Sequence, residues 1–163
     1  MIPNTLPDSG TRSEFDTGAV RDGETGKGRF DLLPPNVFKL AYSPRGAELA
    51  ENIMNGDATE AYCNAVINLY TQPIEESGLE ALTALAQRFE DGANKYAARN
   101  WEKGIPTHRY VDSALRHLAK WEAGHTDEDH AGAVLWNIVC LEWTRQKIED
   151  GTLPQTLETM PNG

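Results

Sequence analysis

Apolar residues recur at Leu79, Leu82, Ala86, Phe89, Ala93 and Tyr96, a 3-4-3-4-3 spacing. That period is the stripe of an amphipathic helix facing a partner, so the pattern predicts a long helix beginning soon after Gln72-Pro73. The same turns carry a polar stripe, Glu76, Glu80, Thr83, Gln87, Glu90 and Asn94, which reads as a wet helix face with Glu90 the candidate exception. "RNWEKGIP" at 99–106 ends the helix, with Gly104 and Pro106 as breaks. A third helix is predicted from Val111 or Ser113 to Glu122, stopping at Gly124. A fourth begins in "TDEDH", where Thr126 or Asp127 can cap and the acids suit the positive helix end. Within it, Gly132–Leu141 holds one strongly polar side chain, Asn137. A helix apolar on nearly all sides is buried among neighbours.

The earlier chain is less regular. Residues 1–33 are rich in Gly, Asp, Ser and Thr and read as an irregular arm, whose apolar cluster Phe30, Leu32 and Leu33 is expected to anchor it. Pro34 and Pro35 suit a first helical turn, with Val37, Phe38, Leu40 and Ala41 as its buried side, before Ser43-Pro44 breaks it. Two modest helices are predicted at 45–55 and 57–71, divided by Asn55-Gly56 and with Asp57 capping the second, whose buried side is Ala61, Ala65, Val66 and Leu69. No strand pattern of useful length and no repeat appears, so the expected fold is an all-α bundle. It divides into an arm (1–33), one all-α domain (34–150) and a polar tail (151–163).

Composition fits this picture. The 163 residues allow one core of ordinary size, and a mean hydropathy of -0.54 suits a soluble protein. Fifteen basic against twenty-five acidic residues give a net charge of -10, which argues against a duplex nucleic-acid partner. Cys63 and Cys140 stand alone in apolar stretches without a CxxC and read as reduced core residues. Met1–Asp8 lacks a basic region followed by an apolar run, and no apolar run is long enough to span a bilayer, so the expectation is a cytoplasmic protein with no membrane partner.

Four features carry candidate chemistry. "DEDH" at 127–130 places three acids and a histidine at a helix start, with Asp127 and His130 one turn apart. Oxygen-rich donors favour Mg2+ or Mn2+ over zinc, whereas the plain alternative is a solvated capping turn. Asn137 lies two turns beyond His130, either serving the same site or satisfied within the core. Lys95, Arg99, Lys103, Arg116 and His117 gather around a helix hairpin and can hold a polyphosphate, with Arg116 offering a bidentate fork, or can simply be solvated. Glu90 lies nearest that hairpin.

Other chemistries fail on their fixed positions. "GETGKG" begins like a phosphate loop, but the Gly required five positions before Gly26 is Arg21, and Gly28 stands where a hydroxyl must follow Lys27. No His-Asp dipeptide, Gly-x-Ser-x-Gly elbow or HExxH pair occurs.

"GKGRFDLLPP", "FEDGANKYAARNWEKGIP", "SALRHLAKWEAG" and "DEDHAGAVLWN", in that order, resemble the blocks of the tailed-phage dATP/dGTP diphosphohydrolase family, itself similar to the all-α MazG-like nucleotide pyrophosphohydrolases. The resemblance covers residues 26–35 and 85–142. It implies a MazG-like helical bundle that splits a purine deoxynucleoside triphosphate into monophosphate and pyrophosphate, in some phages to supply dGMP for 2-aminoadenine nucleotide synthesis. The family's recurring polar positions fall on Lys95, Tyr96, Asn100, Trp101, Arg116, His117, Asp127, Glu128, Asp129, His130 and Asn137, while residues 36–78 look like an insertion and the MazG-like ExxE and ExxD pairs are not literally present.

The implied mechanism is metal-assisted hydrolysis. Glu90, Asp127, Glu128, Asp129 and His130 would hold Mg2+ or Mn2+, with Glu90, Asp127 and Glu128 as the catalytic acids. Arg116, Lys95, Lys103, Arg99 and His117 would meet phosphate, and Asn100, Trp101 or Asn137 would contact base or sugar; the flexible "GETGKG" run either brings Lys27 and Arg29 beside the triphosphate or is a mere tether. A homodimer or homotetramer is expected, in the host cytoplasm if the chain is phage-encoded. The rival from another class is a non-catalytic helical phage adaptor or host-factor inhibitor, in which the acids are only a helix cap.

Overall fold

The computed structural model describes residues 10, 12–23, 44–55 and 77–160. The anchor at Phe30, Leu32 and Leu33, the Pro-Pro helix, the helix at 57–71, Cys63, Lys27 and Arg29 lie outside the described residues. Those described form a helical bundle: α1 (Pro44–Asn55), α2 (Ser77–Tyr96), α3 (Thr107–Glu122) and α4 (His130–Glu149), with 3-10 turns at Asn100–Lys103 and Gln155–Leu157. The all-α expectation holds.

α3 and α4 form the central pair, with α1 against α3 and α2 against α4. Leu115, Leu118, Ile138 and Leu141 fill the α3–α4 seam, and Leu49, Ala50 and Ile53 of α1 complete the core. Each large side chain buried there stabilises the fold by about 1.5–3 kcal/mol. α4 is buried almost all round, as its apolar run predicts, and Cys140 is buried in it. No helix among the described residues is long and apolar enough to cross a membrane.

Three local differences from the sequence reading shape the site. First, the arm contains an antiparallel ribbon, β1 (Arg12–Glu14) and β2 (Val20–Asp22), with Arg12 opposite Asp22 and Ser13 opposite Arg21. Strands of three residues are too short to show alternation, and the turn signal is Asp16-Thr17-Gly18, with Gly18 at φ +79. Second, α3 starts at Thr107, directly after Pro106, because its first turn buries polar residues, Thr107 and Arg109, that leave no apolar stripe to read. Third, α4 is capped by Asp129, whose carboxylate accepts the Gly132 N–H at 3.0 Å, and not by Thr126 or Asp127.

The α2 stripe holds at Phe89, Ala93 and Tyr96, which are half-buried, and departs at Ala86. Ala86 is exposed, while Ala84 is buried and Leu85, Arg88, Phe89 and Gly92 are half-buried. Thr83, Gln87, Glu90 and Asn94 are exposed, as a wet face requires. The stretch after α4 is packed down. Leu157 and Met160 are buried, and Glu158 bonds Thr107 Oγ1 at 2.8 Å and Arg145 Nε at 3.1 Å.

Candidate active site

A cleft of about 1210 Å³ opens between β2, the second half of α2, the Asn100–Lys103 turn, α3 and the start of α4. Its aromatic wall is Phe89, Trp101 and Trp136, with Trp101 to Phe89 at 5.5 Å and Phe89 to Trp136 at 6.0 Å, backed by Trp143 at 4.7 Å from Trp101 and by buried Tyr110 at 6.1 Å from Trp136. Its polar wall comes from α3 and the loop before α4. His117 faces that loop from the middle of α3, and His130 faces it from the first turn of α4.

Their ring nitrogens meet. His117 Nδ1 lies 3.1 Å from His130 Nδ1, and Glu128 Oε1 lies 3.6 Å from the first and 3.8 Å from the second. A point equidistant from three atoms so spaced is about 2.0 Å from each, the length of a metal bond to imidazole nitrogen or carboxylate oxygen. Two imidazoles and a carboxylate are donors suited to a divalent transition ion. Among the described residues these three form the group that can hold a metal ion.

The surrounding bonds keep the three donors aimed inward. His130 Nε2–H donates to Asp127 Oδ1 at 2.9 Å, which leaves the Nδ1 lone pair for the cluster. The contacts from His130 and Lys120 hold the exposed Asp127 carboxyl well below the usual carboxylate range. Arg88 donates from both terminal nitrogens to Glu128 Oε2 at 3.1 Å and also reaches the Asp129 carbonyl, so Oε1 is left for the cluster. Burial, then the charges of Arg88 and Arg116, push His117 far below its ordinary value and keep it neutral, the form that can ligate.

The predicted residues separate accordingly. Glu128, His130 and His117 are brought together. Asp127 stands behind His130, Asp129 is spent on the α4 cap, and Glu90 is exposed on α2, lining the cleft without joining the triangle. Arg116 pairs with Asp112 at 2.7 Å in the cleft wall.

The other cations and amides mostly dock the ribbon. Lys95 Nζ and Tyr96 Oη hold the Asp22 carboxylate at 3.1 and 2.6 Å, Asn100 Nδ2 bonds the Val20 carbonyl at 3.1 Å, and Lys103 Nζ approaches the Gly18 carbonyl at 3.4 Å. Asn137 Oδ1 accepts from Arg21 Nη2 at 3.0 Å, while its Nδ2 donates to the Ala133 carbonyl at 2.7 Å. Arg99 is exposed and paired with Glu102, and Trp101 sits in the aromatic wall. Arg21, Arg88, Arg109 and Asp112, all lining the cleft, are absent from the sequence-based candidates. Arg88 leaves one faint trace, its place beside Phe89 on the buried flank of α2.

A family model described as the N-terminal part of dATP/dGTP diphosphohydrolase matches residues 73–151, the stretch that spans α2, α3 and α4. No curated protein and no solved structure matches the chain.

Proposed function

We propose, from the match of residues 73–151 to the dATP/dGTP diphosphohydrolase family model, that the chain is a nucleotide diphosphohydrolase of that family and that the cleft hydrolyses dGTP or dATP with the help of a divalent metal at His117, Glu128 and His130. The observation that carries the reading is the triangle of 3.1, 3.6 and 3.8 Å among their donor atoms, at the wall of a cleft that also presents cations. Of the ions expected from the sequence, Mn2+ suits two imidazoles better than Mg2+ does.

An ion held there supplies a Lewis acid for the α-phosphoryl oxygens and a water of lowered pKa. The chain's own residues do the rest. Asp127 fixes the ring of His130, and Arg88 fixes Glu128. Arg116 offsets charge on the phosphates, and Trp101 with Phe89 offers a purine an apolar aromatic wall. Glu90, at the edge of the same cleft, is available to a second ion. Water adds to the α-phosphorus, the bond from that phosphorus to the bridging oxygen breaks, pyrophosphate leaves with the bond's electron pair, and the water's proton is released.

The test is hydrolysis of dGTP, dATP, dCTP and dTTP with Mn2+ or Mg2+ in 18O-water. Purine monophosphate carrying the label, with unlabelled pyrophosphate, is the expected result. Release of orthophosphate would overturn it. Assembly as a dimer or tetramer belongs to this reading and is checked by light scattering.

A further inference from the structure

Among the described residues, two buried side-chain donors lack a hydrogen-bond partner, Arg21 Nη1 and Trp136 Nε1, and both residues line the same cleft. A buried donor without an acceptor is costly, more so when it carries charge, and native structures rarely keep one without use. Arg21 is held in place from three sides. Its Nη2 donates to Asn137 Oδ1 at 3.0 Å, its guanidinium lies 5.7 Å over the Tyr110 ring, and its strand is docked by Asn100 and by the Asp22 contacts on either side. One edge of the fork is satisfied and the other is left over.

The neighbourhood favours an anion. Arg109 and Arg116, which line the same cleft, add positive charge near Arg21, offset in part by Asp112, with which Arg116 pairs, and burial with those like charges lowers the Arg21 guanidinium to about 10. Arg21 and Arg116 line the same cleft as His117 and Glu128 of the candidate metal group.

We propose that β2 carries Arg21 into the cleft as a polyphosphate-binding residue, whose unpartnered Nη1 edge receives an oxygen of the terminal phosphates and of the pyrophosphate that leaves. This rests on reading the cleft as the nucleotide site, and it gives the N-terminal ribbon, which lies outside the family match, a direct part in binding. A guanidinium fits because it is planar, stays charged and offers paired donors to phosphate oxygens.

The probe is inorganic pyrophosphate, titrated calorimetrically into the full chain with chelator present, so that neither metal nor turnover is needed. Arg21→Met is expected to weaken pyrophosphate binding at least tenfold, with Arg21→Lys between it and the unaltered protein. Lys147→Met, which removes a charge paired with Asp150 at the far end of α4, is expected to leave binding unchanged. Binding within twofold of the unaltered protein in folded Arg21→Met overturns the proposal, as does loss of deoxyguanosine binding with pyrophosphate binding retained. Should Arg21→Met not fold, the arginine side-chain 15N resonances of the unaltered protein decide it: the Arg21 signal, assigned against Arg21→Lys, must move on adding pyrophosphate, and a signal that stays still refutes the idea. Pyrophosphate binding through Arg21 in a protein that releases no pyrophosphate from dGTP upholds this inference while the proposed function falls; the converse leaves that function standing.

Discussion

His130 serves two neighbours with two nitrogens, and the assignment of its proton follows from geometry. Asp127 takes the Nε2–H, so Nδ1 faces His117 as a lone pair. Replacing Asp127 by Asn keeps the shape and removes the charge behind the ring. Such outer partners are worth about 10- to 100-fold in metal affinity. Asp127→Asn is therefore expected to weaken Mn2+ binding by that factor, read from the free-ion signal in electron paramagnetic resonance; unchanged affinity would detach Asp127 from the site. His117 gives a second prediction. Its folded value is pushed well below the ordinary 6.5, mainly by burial. The unfolded chain then takes up a proton that the folded chain refuses, so stability is full above the ordinary value and falls as pH drops toward the lowered one. Denaturation of metal-free protein at about pH 7.5 and about pH 5.5 is expected to show this loss, reduced in His117→Gln. An equal loss in both proteins would assign it to another group.

At the scale of elements, the ribbon is the part whose position is most conditional. β1 and β2 pair over three residues each, too little to stand alone, and a two-stranded hairpin is marginal in water. It holds because Asp22 draws Lys95, Tyr96 and Arg12 while Arg109 Nη2 donates to the Asp22 carbonyl at 3.1 Å. Gly104, at φ +101, lets the chain turn tightly between the 3-10 helix and α3, where Thr17 Oγ1 bonds its carbonyl at 2.7 Å. Asp22→Asn is expected to raise amide hydrogen exchange across residues 12–22 well before the helices loosen, and to raise the KM for dGTP through Arg21. Exchange as slow as in the unaltered protein would show that the ribbon is held by its backbone contacts alone. The start of α4 is conditional in a different way. A side chain added at Gly132 would run into the Asp129 carboxylate, so the cap and the glycine form a unit, and the "DEDH" run is divided among a cap, two candidate ligands and an orienting acid.

For the whole molecule, the α3–α4 seam sets stability and also aligns the two histidines that stand on its two sides. Ile138, fully buried, is a fair measure of the seam. Ile138→Ala is expected to cost about 2–5 kcal/mol in urea denaturation, the range for emptying a core position of this size. A loss below 1 kcal/mol would mean that the seam closes over the gap.

Much of this was legible in the chain. Periodicity and breakers located α2, α3 and α4, and the Gly132–Leu141 stretch, apolar but for Asn137, marked the buried helix, because local spacing is itself the physical cause of those elements. The acids and histidine before α4 were visible as a dense local run. Their separate roles were not. Arg88 stands 40 residues from Glu128, and Arg21 stands 116 residues from Asn137. No residue's own neighbours in sequence encode such pairings. By itself the sequence determined the helices and the residue types that crowd the cleft. Only the tertiary structure decided which donors converge, because docking of the ribbon and the crossing of α3 with α4 determine whether a charge meets a partner, a metal ion or a substrate.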